Sequence, residues 1–307
     1  MRHKLSLTAL MIVIASFALV AQSKDSSAIK DTVQYWKING NVGVTMTQIG
    51  FYNWVKGGEN SVTGAGLFNI TANMKRERWV WENYLLMNYG LMTNDAGKVR
   101  KTDDRLDIGS KIGYQQWKEL NWAFLVNFKT QFTKGYNYPN DSVIVSKFLT
   151  PGYLIVSIGA DYVPGDYLSL YFSPFTGKYI YVTDTSLADK WGVKPGKNLQ
   201  PDFGWFLKLG YKADIMQNVN LSTKLSLFQN YTDKNAANRA NIDVDWEALM
   251  ILKVNSFLSA TVQWRLIYDN DIKVPIYQTI SGVKTKIGEG PRTQFMEQIG
   301  LGIVFNF

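Results

Sequence analysis

The chain has 307 residues, with 33 Lys plus Arg against 25 Asp plus Glu, one His and no Cys. The absence of Cys excludes a disulfide framework, a thiolate metal site, a cysteine nucleophile and a lipidated lipoprotein N-terminus. With 46% hydrophobic residues, 14% aromatics and only 19% charged residues, the composition is unusual for a soluble enzyme.

The chain opens with a basic start (Arg2, Lys4), an apolar run from Leu5 to Ala21 and the small-x-small triplet Ala21-Gln22-Ser23. This pattern predicts a secretory signal peptide over 1–23 rather than a retained anchor, because polar residues follow at once. Its removal takes Arg2 and Lys4 away, lowering the formal charge from +8 to +6. The lone His3 leaves with it. The mature chain then has no imidazole, which argues against His-dependent triads, His metal sites and His acid/base chemistry, and so against an enzyme. Residues 24–34 are expected to form a short periplasmic segment, followed by one domain over 35–307.

That domain is patterned with a period of two, the repeat of strands with one apolar face. Twelve strands are predicted, at 35–47, 62–75, 78–92, 103–116, 119–134, 153–163, 166–173, 202–214, 218–230, 242–254, 257–269 and 294–307. In the fifth, Leu120, Trp122, Phe124, Val126 and Phe128 alternate with Asn121, Asn127, Lys129 and Gln131. In the tenth, Val244, Trp246, Ala248 and Met250 alternate with Asp243, Asp245 and Glu247. The last strand places Ile299, Leu301, Ile303, Phe305 and Phe307 on one face. An aromatic terminal residue on such a strand resembles the C-terminal assembly signal of Gram-negative outer-membrane barrels, here Phe305 and Phe307.

Alternation alone also fits a soluble sandwich, and loop lengths separate the two. Five connections are a few residues long, whereas 48–61, 93–102, 135–152, 174–201, 231–241 and 270–293 are expected to be long loops. An even strand count with short turns on one side and long loops on the other predicts an all-β transmembrane antiparallel barrel of about twelve strands, its turns periplasmic and its loops extracellular. Trp36, Trp79, Trp81, Trp117, Trp122, Tyr162 and Tyr167 fall beside the short turns, where an interfacial aromatic girdle belongs.

Four segments carry a family resemblance: FYNWVKGGENS (51–61), KTDDRLDIGSKIGY (101–114), NFKTQFTKGY (127–136) and the run from Asn241 to Ile272. The chain resembles the Bacteroidota domain-of-unknown-function family 3078, over nearly all of its mature length. The resemblance implies an outer-membrane location and no catalytic residues.

If the apolar face meets lipid, the other face lines the lumen. The lumen candidates are Glu82, Asp107, Lys111, Lys129, Gln131, Asp161, Lys208, Lys224, Asp243, Asp245, Glu247 and Arg265. Charges of both signs in a twelve-stranded interior either line a narrow selective channel or pair across the lumen and fill it. Asp243, Asp245 and Glu247, spaced two apart, put three carboxylates on one strand face. They suit an ion-pair ladder with Arg265, Lys253 or Lys224, a cation-attracting stripe, a Ca²⁺ site, or acid/base hydrolysis. No metal or cofactor is expected.

Asn53, Trp54, Gly57, Gly58, Glu59, Asn60 and Ser61 are expected in the first long loop, either dipping into the barrel as a constriction or forming an extracellular turn. Loops 93–102, 174–201 and 270–293 are net basic, suited to lipopolysaccharide phosphates or to plain solvation. The functional expectation is a narrow channel or uptake porin for small polar solutes. The alternatives are an assembly subunit of an envelope complex and, last, a His-independent hydrolase. Expected partners are outer-membrane lipid, lipopolysaccharide and the barrel-assembly machinery; nucleic acid conflicts with the envelope address.

Overall fold

The structure is a computed structural model that describes residues 35–49, 61–94, 97–138, 140–255, 258–280 and 282–307. The signal peptide and the 24–34 segment lie outside the described residues. So do Asn53, Trp54, Gly57, Gly58, Glu59 and Asn60.

In chain order the strands are β1 (Trp36–Ile49), β2 (Ser61–Arg76), β3 (Trp79–Asn94), β4 (Val99–Gln115), β5 (Leu120–Thr130), β6 (Gly135–Tyr136), β7 (Ile144–Ser146) and β8 (Gly152–Gly165). There follow β9 (Leu168–Tyr181), β10 (Leu199–Met216), β11 (Val219–Asn230), β12 (Ile242–Lys253), β13 (Leu258–Tyr268), β14 (Val274–Ile280), β15 (Val283–Gly290) and β16 (Gln294–Asn306). Twelve of them close an antiparallel barrel in the order β1-β16-β13-β12-β11-β10-β9-β8-β5-β4-β3-β2, while β6-β7 and β14-β15 are separate two-stranded ribbons. Closure pairs every barrel strand on both sides, the arrangement a sheet needs where no water is present to satisfy its backbone.

The seam joins the first and last strands, from Asn41↔Asn306 to Met46↔Leu301. Reciprocal backbone hydrogen bonds between Gly40 and Phe307, at 2.7 and 2.9 Å, extend it to the C-terminus. The Phe307 ring lies where a Cβ on Gly40 would stand, so a close approach of ring to backbone requires glycine there.

Alternation sorts the side chains as the period of two requires. Ile158, Phe172, Phe295, Ile299, Leu301, Ile303 and Phe305 stand exposed on the outer face. So do Trp36, Trp79, Trp81, Trp117, Trp122, Tyr162 and Tyr167 at the short-turn end. Trp36 stacks near Trp81 at 5.5 Å between ring centroids, and Trp79 meets Tyr114 edge-on at 5.2 Å. An apolar exterior with aromatic ends is the surface of a transmembrane barrel. The outward Asn83 and Ser110 satisfy one another there: Trp81 Nε1 donates to Ser110 Oγ, Ser110 Oγ to Asn83 Oδ1, and Asn83 Nδ2 to the Ala72 carbonyl.

Three expectations require correction. The 93–102 loop is a tight connection, because β3 runs to Asn94 and β4 starts at Val99. The 174–201 loop shrinks to 182–198, because β9 continues through Pro174 to Tyr181. Proline is tolerated there at a bulge: the β8–β9 register jumps from Ile158↔Phe175 to Ala160↔Phe172, so the missing N–H falls where the ladder is already interrupted. Gly159 permits the kink, since its Cβ would meet the Phe172 carbonyl oxygen at 2.1 Å. Ser61 belongs to β2, opposite Ile49, and not to the loop.

Candidate functional site

The twelve lumen candidates distribute over β3, β4, β5, β8, β10, β11, β12 and β13 or, for Gln131, just beyond β5. The structure brings most of them into one network. On β12, Glu247 receives the Arg105 guanidinium from β4, six places away around a ring of twelve and therefore diametrically opposite. Arg105 also holds Asp107 at 2.6 Å. Lys129 of β5 reaches Asp245 at 3.0 Å, and Arg265 of β13 grips the same carboxylate through two nitrogens at 2.9 Å. Lys224 approaches Glu247 at 3.9 Å. A chord of charges thus crosses the barrel at mid-height.

The chord is anchored in buried polar contacts. Asp107 is 1% exposed. It accepts from Tyr84 Oη at 3.1 Å and from Asn127 Nδ2 at 2.7 Å. The Tyr84 ring is flanked by the ammonium groups of Lys208 and Lys224, at 5.0 and 4.7 Å from its centroid. Gly109 makes room for that ring, which passes 2.1 Å from the position of a Cβ. Nearer the short turns, Lys111 bridges Asp161 at 2.5 Å and Glu82 at 2.8 Å.

Of the readings open to the β12 carboxylates, the structure displays an ion-pair ladder, with two of the three expected cations and three others. Arg265 and Lys224 take part; Lys253 does not, and Arg105, Lys129 and Lys178 do. Lys178 sits inside the lumen on β9, 2.7 Å from Asp243 and 3.2 Å from Asp269. It falls within the expected 174–201 loop and reaches the lumen because β9 continues past Pro174. Arg105, Tyr84, Asn127 and Asp269 complete the network. Odd-number parity along β4 placed Arg105 beside Asp107 and Lys111, the one local signal that marks it.

The lumen also contains an apolar cluster that charge counting misses. Ala123, Leu125, Tyr171, Phe206 and Phe228 are buried together against Ile155. They occupy inward positions on β5, β8, β9, β10 and β11, so those strands have apolar residues on both faces.

Toward the long loops a cavity of about 290 Å³ opens above the chord. Its walls include Arg105, Lys129, Lys178, Arg265, Asp243, Asp245 and Asp269, with Ile155, Phe206 and Phe228 on one side and Trp191 and Ile272 on another. Trp191 belongs to the segment 182–198, which folds back as two short 3-10 turns, Thr185–Leu187 and Asp189–Trp191. Asp184 caps the first by accepting from the Ser186 amide at 3.1 Å. Val182, Ala188 and Val193 of this segment pack with Ile180 into a small buried core. Lys273 holds Asp189 at 2.8 Å, and Gly192, at φ +72°, lies against Asp271. The segment is a folded cover over the cavity. Gln131 fixes an adjoining loop, donating to the carbonyls of Lys147 and Thr150 at 3.2 and 2.8 Å.

The opposite arc differs. The inward positions of β16, β1 and β2 include Gln298, Asn39, Asn41, Thr45, Thr63, Asn69 and Thr71, all uncharged. Among the described residues no ion pair crosses the lumen to these three strands.

Residues 46–136 match the family model described as "Protein of unknown function (DUF3078)". The match supports the family resemblance. No curated protein matches the chain. Among solved structures, the COG4313 outer membrane channel from Pseudomonas putida F1 is similar at 13% identity and a TM-score of 0.38, covering 91% of this chain and 100% of that one. The NanC porin is similar at 8% identity and a TM-score of 0.38, over 87% and 98%. The translocator domain of autotransporter NalP from Neisseria meningitidis is similar at 9% identity and a TM-score of 0.35, over 98% of each chain. At such scores the likeness carries no argument about what passes through this barrel.

Proposed function

We propose that the protein is a Gram-negative outer-membrane channel for small polar solutes, its short turns periplasmic and its long loops outside. The observation that carries this reading is the 290 Å³ cavity within the lumen, walled by charged residues of both signs. A filled barrel has no use for an internal cavity of that size with charges in its wall, and the volume is near the small end of ligand sites. The Arg105–Glu247 chord occludes one side of the lumen, and the uncharged arc of β16, β1 and β2 supplies the path beside it. The match of residues 46–136 to the family model supports a place in that family, and a Bacteroidota source would fit the envelope address. Phe305 and Phe307 serve the barrel-assembly machinery, and lysines of the outer loops meet lipopolysaccharide phosphates. The mature chain acts without enzymatic chemistry or cofactor.

Single-channel recording in planar bilayers tests the proposal. The wild type is expected to give small, infrequent openings, and Glu247→Gln larger and more frequent ones. No conductance from either protein, together with no swelling of liposomes in amino acids or sugars, would overturn it.

One observation favours a second reading, an assembly subunit. The β14–β15 ribbon extends beyond the barrel and exposes Ile280 and Ile287, at 49% and 54%. If that ribbon docks a partner, cross-linking through residue 287 in intact envelopes returns one stoichiometric protein; recovery of the monomer alone removes this reading.

A further inference from the structure

The cavity has opposite electrical signs at its two ends. At the long-loop end Lys178 faces Asp243 and Asp269, one cation against two carboxylates, net −1. At the chord end the lining cations Arg105, Lys129 and Arg265 stand against the lining carboxylate Asp245, three against one, net +2. An isolated anion or cation gains at one end and is repelled at the other. A solute carrying both charges gains at both.

The spacing is set by β12. Asp243 belongs to the first group and Asp245 to the second, and residues two apart on a strand are about 6.8 Å apart. The termini of an extended dipeptide are separated by about 7 Å, two residue lengths of chain. The charges of a single α-amino acid share one carbon and cannot span the gap. Between the two ends the wall is apolar, formed by Ile155, Phe206 and Phe228.

We infer that the cavity is a binding site for a dipeptide-length zwitterion, its ammonium toward Asp243 and Asp269 and its carboxylate toward Arg105, Lys129 and Arg265. This rests on the channel reading and names its solute class. The opposed ends select for a solute that carries both charges, and the apolar wall accepts its side chains.

Calorimetric titration of the full-length barrel in detergent tests the inference without any variant. L-alanyl-L-alanine is expected to bind saturably. N-acetyl-alanyl-alanine lacks the ammonium and alanyl-alanine amide lacks the carboxylate, and each should bind about tenfold or more weakly, the loss of one charge-assisted contact. Free alanine should also be weaker. Asp269→Asn, with unchanged circular dichroism, should erode the preference for the free ammonium and leave the preference for the carboxylate intact. Equal binding of the blocked peptides, or no saturable heat from dialanine, would overturn the inference. Conductance without dialanine binding would remove the solute class and leave the channel; dialanine binding without conductance or swelling would do the reverse.

Discussion

Two arcs of the same lumen are built on different principles. From β3 through β13 by way of β8, the inward positions hold a chord of ion pairs and an apolar cluster, and Asp107 and Asp161 are each 1% exposed. Over β16, β1 and β2 the inward positions from Asn39 to Thr47, from Thr63 to Thr71 and from Gln294 to Asn306 are uncharged, chiefly Asn, Thr, Gln and Gly with Ala65, Leu67, Met296 and Val304 among them. The first arc is packed as a protein interior is packed; the second is lined as a water-filled wall is lined. Barrel closure imposes one backbone geometry on both, so the contrast comes from side chains alone. Under the proposed channel function, it divides the work of the barrel between an arc that holds shape and an arc that passes solute.

The largest expected effect falls on the packed arc. Asp107→Ala leaves Arg105, Asn127 and Tyr84 without their shared acceptor. Breaking a buried charge pair on one side costs about 3–5 kcal/mol. Urea unfolding of the reconstituted barrel, followed by tryptophan fluorescence, should show a loss of that size, whereas Thr71→Ala on the open arc should stay within about 0.5 kcal/mol. An equal loss at both sites would abolish the distinction.

Neighbouring residues on β1 test the next level. Val44 is outward and 52% exposed, and Thr45 is inward. Val44→Arg should destabilise the barrel by about 2–4 kcal/mol, because it puts a charge in lipid. Thr45→Arg should leave stability nearly unchanged and reduce conductance, because it puts the same charge in the open arc. The opposite assignment would mean that the arc is not the path.

A smaller effect is expected at Gly109. Gly109→Ala pushes the Tyr84 ring off the strand and away from Lys208 and Lys224. Overpacking of this kind costs about 1–3 kcal/mol, read as a shift in the urea midpoint.

The smallest effect concerns the cover over the cavity. Burial pushes the Asp271 carboxyl up to about 7, and the charge of Asp269 adds to the rise. An acid whose folded value lies above its ordinary 3.8 binds more protons folded than unfolded, so its contribution to stability declines as pH rises from about 4 to 7 and is constant above. Segment 182–198 should therefore be cleaved by trypsin at the exposed Lys197 faster at pH 8 than at pH 6, after correction for the enzyme's own profile. Asp271→Asn should flatten the difference.

How much of this was legible depends on the range of the interaction. The seam strand β16 was readable residue by residue, because a period of two assigns faces without reference to any other strand. The end of β9 was not: Pro174 is a strand breaker in isolation, and only pairing with β8 and β10 absorbs it in a bulge. A strand ended at residue 173 leaves Lys178 in a loop and hides the ion pair that makes one end of the cavity. Phe206 and Leu125 are inconspicuous in the sequence for a related reason. An apolar residue among lipid-facing apolar neighbours shows no contrast in sequence, although its parity puts it inside.

Sequence by itself determined the barrel, the outward face of each strand, the aromatic end and the absence of cysteine chemistry, since these follow from local alternation and composition. Tertiary structure alone decided which charges meet. Arg105 and Glu247 are 142 positions apart in the chain and opposite one another only because twelve strands close into a ring. Strand count and stagger, not the residues themselves, choose partners across a lumen, and with them the cavity that the chord leaves open.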